Sequence, residues 1–305
     1  MMINMLNFVI TCLCILLSVA YFTLFERKVL GYCQIRWGPN KVSINGILQP
    51  ISDALKLFLK ENMSPIKSNY FIFYLVSVFG LFLMLYLWSL YPSDTSFFFF
   101  NYSIMLFICL SGMSVYFVMV AGWSSNSKYS FLGAMRAAAQ SISYEVSMIF
   151  ILLFPIMLNS TLSMNNSIFF YSSFLLLLMI SRIWFISSLA ETNRAPFDFA
   201  EGESELVSGF NIEYQGGLFA LLFLSEYTSI ILMSLMTVVW FFNISSSLIM
   251  VTFIMIIVFM YILIRAIYPR YRYDLLMMLC WKCFLPFSLA ALMFIPFFLF
   301  KYDSY

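Results

Sequence analysis

One stretch of this sequence gathers acidic side chains that could carry protons. Residues 190–216, here called the acidic loop, place six carboxylates around one base, Arg194: Glu191, Asp198, Glu201, Glu203, Glu205 and Glu213. If residues 197–206 are helical, Asp198, Glu201 and Glu205 share one face of that helix. Like charges held so close disfavour full ionisation, so some of these pKa values should rise. Such a cluster can act as a proton relay whose members titrate together.

The alternative for the acidic loop is a solvated segment that recognises a basic partner. Runs of like charge are commonly solvated interaction segments, so this alternative stays open on the charges alone. The apolar residues interleaved with the acids favour a loop that packs against the rest of the protein. These residues are Phe197, Phe199, Leu206 and Phe210.

Two more carboxylates, Glu145 and Glu226, fall inside long apolar segments. Each lies about nine residues from the segment end, which places it about 14 Å deep at a rise of about 1.5 Å per residue. A charge at that depth in a bilayer is costly, so such a residue faces the protein interior or a wet cavity. Both are therefore candidates for proton transfer. The alternative is a structural hydrogen bond to a neighbouring helix.

Basic residues cluster at two segment ends, beside aromatic ones. Arg27 and Arg36 follow the first apolar segment, and Arg265 ends another, just before Tyr268 and Tyr271. Arginines in such places commonly anchor a helix to lipid headgroups. Together with aromatic rings they can also line the access path of an amphipathic aromatic ligand. Composition alone favours anchoring.

The sequence offers little for metal chemistry. It contains no histidine, the commonest metal ligand. Its six cysteines are scattered through apolar stretches, and only Cys280 and Cys283 are spaced as C-x-x-C. Because no second pair accompanies them, we predict no metal site on this chain and no redox cofactor bound by it alone.

The elements that must position these residues are membrane spans. The chain of 305 residues is 63% hydrophobic and only 10% charged, far below the charge of about 25% in soluble domains. Its net charge of +2 is too small to indicate a nucleic-acid partner. We predict an all-α integral membrane protein, a single domain over residues 1–305. Its eight spans cover about 3–25, 70–91, 102–122, 136–158, 167–189, 217–242, 248–267 and 283–300.

Charge alternates sharply between the two sides of this arrangement. All of the 16 lysines and arginines except Lys301 lie in or near the loops 26–69, 123–135, 190–216 and 268–282. The positive-inside rule makes this the inner side, and eight spans then leave both termini outside. Within the first inner loop, residues 47–60 predict an amphipathic helix that lies in the membrane interface or packs on a partner.

Several long motifs resemble one family. The sequence resembles the chain-1 membrane subunits of mitochondrial NADH–ubiquinone oxidoreductase, respiratory complex I, in order from about residue 20 to residue 287. The matching segments are 26–40, 49–58, 122–127, 140–146, 190–214, 268–274 and 281–282. Residue usage rich in Phe, Ile and Met also hints at an AT-rich organellar gene, which would need no import signal.

The resemblance implies a core subunit of a proton-pumping NADH:ubiquinone reductase in the mitochondrial inner membrane, which anchors the hydrophilic arm. Ubiquinone would be the substrate and would not be bound covalently. Iron–sulfur clusters and flavin would lie in partner subunits. The expected partners are hydrophilic quinone-site subunits on the matrix side, antiporter-like and small membrane subunits, and lipids.

The resemblance also implies roles for individual residues, carried over by motif. Those expected to line the ubiquinone cavity are Arg27, Arg36, Asp53, Phe223 and Arg265. Those expected to form an acidic relay from the cavity are Glu145, Glu191, Asp198, Glu201, Glu203, Glu205 and Glu226.

Two positions depart from the family pattern. Trp37 stands where the family usually has a basic residue, and Ser43 where it often has glycine. Both concern the shape of the first inner loop and leave the acidic relay untouched.

Three alternatives remain for the function: a membrane anchor of a related hydrogenase or dehydrogenase, a stand-alone ion or solute transporter, and a structural scaffold. A transporter would predict inverted repeats, and the scaffold leaves two buried glutamates unexplained.

Overall fold

The computed structural model describes residues 2–92, 100–168, 172–174, 178–198 and 209–302, which contain helices and connecting turns. The α-helices are α1 (Met2–Cys33), α2 (Gln49–Leu59), α3 (Tyr70–Leu87), α4 (Ser103–Ser124), α5 (Lys128–Asn159), α6 (Met164–Ser167), α7 (Leu178–Glu191), α8 (Gly216–Thr237), α9 (Ser247–Ile267), α10 (Tyr273–Met278) and α11 (Leu285–Tyr302). A π-helical turn continues α8 over Val238–Phe242, and another joins α10 to α11 over Leu279–Phe284.

Seven helical segments in the described residues are long and apolar enough to cross a membrane. A helix satisfies its own backbone hydrogen bonds, which lipid cannot do. These seven correspond to the predicted spans other than the fifth, 167–189. For that span α7 supplies the part from Leu178, and residues 169–171 and 175–177 lie outside the described ranges. The prediction of an all-α membrane protein with about eight spans is confirmed.

Three helical segments extend beyond the predicted span ends. The first helix continues to Cys33, α5 begins at Lys128 and the last helical segment begins at Tyr273. Most of the predicted loops 123–135 and 268–282 is therefore helical. Hydropathy indicates where contact with lipid ends, whereas the backbone hydrogen bonding of a helix can continue into the aqueous phase.

Small residues let α4 and α5 approach closely. A side chain added at Gly122 would lie 2.2 Å from the Ala134 Cβ, and one at Gly133 would meet the Gly209 backbone at 2.9 Å. Close backbone approach of this kind is typical of helix packing in membranes. Because α5 also packs against α7 and α11, it lies at the centre of the bundle.

The predicted amphipathic helix is present as α2, which packs against α1 and α8. Compared with the predicted range 47–60, the helix begins two residues later and ends one residue earlier. Ile51, Leu55 and Phe58 are each half exposed or more. This apolar face is therefore uncovered in the isolated chain, and both predicted roles, interface helix and partner contact, stay predictions.

Candidate functional site

Glu26, near the inner end of α1, is the centre of a buried ionic cluster. Its side chain is 8% exposed, and the Arg194 Nη1 atom lies 3.4 Å from its Oε1 atom. Arg265 donates a hydrogen bond to the same oxygen. The Tyr227 hydroxyl donates to the other oxygen, Oε2, at 2.7 Å. One carboxylate thus joins α1, the acidic loop, α8 and α9, and these four residues are called the Glu26 cluster below.

Arg194 brings an excess of positive charge into the cluster. Its guanidinium carbon lies 4.3 Å from the centre of the Tyr227 ring, a cation–π arrangement. Burial acts to lower the pKa of Arg194, but the negative forms of Tyr227, Glu26 and Glu226 raise it overall, so Arg194 stays charged. Its Nη2 atom is buried and has no hydrogen-bond partner within the described ranges. Two arginines share one carboxylate, so the cluster favours an additional anion.

The structure divides the residues predicted to line the cavity. Arg265 belongs to the Glu26 cluster, and Phe223 lies one turn before Tyr227, with 6.2 Å between their ring centres. Arg27 points away from Glu26 and donates to Asp53 at 2.6 Å, which links α1 to α2. This second pair is much more exposed than the Glu26 cluster. The remaining residue, Arg36, is exposed in the first loop and donates to Gln34 at 2.8 Å.

Asp198 fastens the acidic loop to the segment after α9. It is buried and accepts a hydrogen bond from Arg270 at 3.2 Å. The Tyr271 backbone N–H donates to the Pro196 carbonyl at 3.0 Å, and Phe197 packs against the Tyr271 ring. The described ends of the acidic loop, including Phe197 and Phe210, are buried. The described ends of the loop therefore pack against the protein, as predicted. Phe199 and Leu206 lie outside the described ranges.

Gln140 of α5 holds the start of the acidic loop. Its side-chain amide is fully buried and donates to the carbonyls of Ala190 and Phe197, each at 2.9 Å. These two bonds fix the chain on both sides of Arg194. A buried carbonyl that loses its hydrogen-bond donor destabilises the protein. We therefore regard Gln140 as a residue that positions Arg194 within the Glu26 cluster.

Glu191 and Glu226 line one small cavity between α3, α4, α7 and α8. Its volume is about 70 Å³, enough for a few water molecules at about 30 Å³ each. Four serines also line it, among mostly apolar residues: Ser111, Ser114, Ser225 and Ser229. The Glu191 Oε2 atom is buried and has no hydrogen-bond partner among residues that the structure describes. The cavity therefore has room for water beside the two acids.

Glu145 lies next to this cavity, against α4. A side chain added at Gly112 would lie 2.8 Å from the Glu145 Oε1 atom, so the carboxylate occupies space that this glycine leaves open.

Glu191 lies two residues beyond the predicted fifth span. Burial raises the pKa of Glu191 to about 8, and the nearby charge of Glu145 adds to this rise. The two carboxyl groups are therefore electrostatically coupled.

Three predicted relay residues, Glu201, Glu203 and Glu205, lie outside the described residues, as does most of the predicted helix 197–206. Four residues of the site were missed by the site prediction: Glu26, Arg194, Tyr227 and Gln140. Glu26 was noted only beside the basic residues that follow it. An acidic residue at a span end, directly before two basic ones, is the signal that could have identified it. Tyr227 and Gln140 carry no such signal.

Comparisons with known proteins cover nearly the whole chain. A family model described as "NADH dehydrogenase" matches residues 6–296. The chain is 49% identical over 298 residues to a protein of Aedes aegypti, covering 96% of this chain and 95% of that protein. It is 53% identical over 287 residues to a protein of Artemia franciscana, covering 92% and 94%. Both relatives are called "NADH-ubiquinone oxidoreductase chain 1".

Proposed function

The chain belongs to the NADH dehydrogenase family, and from this membership we propose that it forms part of a ubiquinone cavity and a proton-coupling relay. It is a membrane subunit of respiratory complex I, an oxidoreductase, and works with the other subunits of that complex. It is a multi-pass protein of the mitochondrial inner membrane. This membership favours complex I over a stand-alone transporter.

The finer arrangement belongs to the proposal. Both termini face the intermembrane space, and the acidic loop faces the matrix, because the basic residues gather on that side. Hydrophilic quinone-site subunits cover this face, and antiporter-like and small membrane subunits lie beside the spans. Flavin and iron–sulfur clusters in the partner subunits supply the electrons, and ubiquinone is the substrate.

The net positive charge of the Glu26 cluster is the observation that carries the quinone part of the proposal. Reduction of a quinone by two electrons creates negative charge on its two oxygens before two protons are taken up. Fixed guanidinium and hydroxyl donors stabilise such charge where it develops. Arg194 and Arg265 supply guanidinium donors, and Phe223 supplies an aromatic wall for the quinone ring.

The relay part rests on the proximity of Arg194 to acidic groups on both of its sides. Arg194 contacts Glu26 directly, and the charge of Glu226 contributes to the raised pKa of Arg194. A new negative charge at the cluster competes for Arg194 and changes the field at Glu226. The proton affinities of Glu226 and Glu191 then change, and a proton moves through the water of their shared cavity towards Glu145.

The test replaces Glu145 or Glu226 with glutamine in the assembled complex. Either substitution keeps the side-chain shape and removes the titrating proton. We expect proton pumping to fall at least tenfold in both variants, with slower quinone reduction. Glu61→Gln, at an exposed acid outside the site, is the matched control and should leave both rates unchanged. Full quinone reduction and pumping in both E145Q and E226Q would refute the relay.

A further inference from the structure

Arg182 is a charged residue within the membrane that the proposed function does not use. It lies on α7, nine residues before the helix ends at Glu191, and its side chain is exposed. The sequence groups it with the inner-side basic residues. The structure places it deeper, because Ser188 of α7 and Tyr261 of α9 share a hydrogen bond of 2.6 Å and so lie at the same height.

This bond locates Arg182 in the outer half of the membrane. Tyr261 lies 14 residues, about 21 Å, beyond the outer end of α9 at Ser247. Arg182 lies six residues, about 9 Å, closer to the outer side than Ser188. Its backbone is therefore about 12 Å inside the outer end of α9. Because side chains lean towards the helix N-terminus, Arg182 leans outwards.

Arg182 lines an apolar groove between α7, the end of α8 and α9. The groove has a volume of about 500 Å³, within the range of roughly 300–1,000 Å³ typical of small-ligand sites. Its outer end is formed by Phe174, Phe241 and Phe242, and its deeper part by Trp184 and Met260. In the described part of its wall, Arg182 is the only charged side chain.

We propose that this groove binds one anionic phospholipid of the outer leaflet. The lipid phosphate would accept hydrogen bonds from the Arg182 guanidinium, and one acyl chain would lie deeper, along Trp184, Phe185 and Met260. The charged side chain of the groove leans outwards, and its apolar wall lies towards the midplane. The headgroup and the acyl chains of an outer-leaflet lipid are arranged in the same direction. Within the described residues Arg182 makes no ion pair, and a charge at this depth requires a partner.

A lipid fits better than a partner helix that carries a carboxylate. The groove is concave and has the size of a single chain-like ligand, whereas a helix is about 10–12 Å wide with its side chains and would only lie across it. A guanidinium also binds phosphate through two parallel hydrogen bonds, which strengthens the contact.

The experiment measures binding of spin-labelled phosphatidic acid to the purified, detergent-exchanged complex, with spin-labelled phosphatidylcholine as the neutral-headgroup comparison. We expect the Arg182→Gln variant to bind phosphatidic acid at least tenfold more weakly than the unmodified complex, with little change for phosphatidylcholine. Lys128→Gln removes an exposed inner-side charge and should leave binding unchanged. Equal binding by R182Q and the unmodified complex would overturn the proposal.

A second variant keeps the test decisive if R182Q fails to assemble. Met260→Trp fills the deeper part of the groove and leaves Arg182 in place, so it should also weaken phosphatidic acid binding at least tenfold. Unchanged binding in M260W would overturn the proposed position of the acyl chain. A structure of the assembled complex with a partner carboxylate within 4.0 Å of Arg182 would replace the lipid by a protein contact.

Discussion

At the scale of single residues, the site is governed by an imbalance of charge around Glu26. Two guanidinium groups and one phenol converge on this one carboxylate, which is almost completely buried. A buried carboxylate is tolerated only where donors surround it, and here the donors outnumber it. The sequence indicates that each of these charges lies near a span end. It does not indicate that Glu26 meets Arg194 and Arg265, because those contacts join positions 168 and 239 residues apart.

Replacement of Glu26 by glutamine should destabilise the complex strongly. It leaves the buried guanidinium of Arg194 and the partly exposed one of Arg265 without the carboxylate that they share. Removal of one partner from a buried ion pair costs about 3–5 kcal/mol. Thermal unfolding of the assembled complex measures the effect. Asp53→Asn breaks the more exposed pair with Arg27 and should cost about 1 kcal/mol or less. Equal losses in E26Q and D53N would contradict the central role of Glu26.

The carboxyl group of Glu191 should titrate close to neutral pH. Because burial raises its pKa to about 8, it holds a proton below that pH and loses it as the pH rises through that value. Infrared difference spectra recorded one pH unit below and one above should show the loss of a carboxylic acid C=O band. This band should be absent from Glu191→Gln and retained in Glu61→Gln. An identical band in E191Q would assign the titration to another residue.

At the scale of elements, the sequence predicts the existence and order of the helices better than their ends. Apolar runs indicate burial in lipid, so the long apolar helices among the described residues were predicted in the right order. The depth of Glu145 and Glu226 in the membrane stays a prediction. The extension of α5 to Lys128 was missed because its first turns are polar and lie beyond the lipid. Within the first inner loop the amphipathic helix was predicted and is present as α2, whereas the backbone of the segment before it was not predicted, beyond the departure noted at Ser43.

Ser43 has a backbone conformation that favours glycine. Its φ is +63° with ψ at −173°, a region used almost only by glycine and costly by about 1–3 kcal/mol for other residues. Ser43→Gly should therefore raise the free energy of unfolding by about 1 kcal/mol. Ser52→Gly, inside α2, should lower it by about 1 kcal/mol. Thermal or denaturant unfolding of both variants checks the opposite signs, and the same sign for both would contradict the strain at Ser43.

At the scale of the whole molecule, an uncovered apolar surface lies on the side that we predict to be the inner one. Ile35, Trp37 and Ile44 of the first loop are almost fully exposed, and α2 exposes an apolar face beside them. Exposed apolar patches of this kind mark interaction sites. Trp37 adds an aromatic surface in place of the positive charge usual in the family, and packs edge-on against Tyr32. Which partner covers this face is beyond what one chain's sequence encodes, because the complementary surface belongs to another subunit.

Hydrogen exchange can test this coverage. Amides of residues 34–48 should exchange at least tenfold more slowly in the assembled complex than in the isolated chain in detergent, because a partner excludes water from the loop. Amides within α4, buried in both states, serve as the internal reference. Equal exchange of residues 34–48 in both samples would show that the apolar surface of this loop stays uncovered.

The long separation in sequence between Glu26 and its two arginine partners also has a consequence for synthesis. The ribosome delivers Glu26 early, Arg194 168 residues later and Arg265 239 residues later. Until the penultimate span is inserted, the early carboxylate lacks part of its final set of donors. The state of the Glu26 cluster therefore depends on whether the chain has been synthesised as far as Arg265. A product truncated before Arg265 would expose that unfinished cluster to membrane proteases, which could remove it before assembly begins.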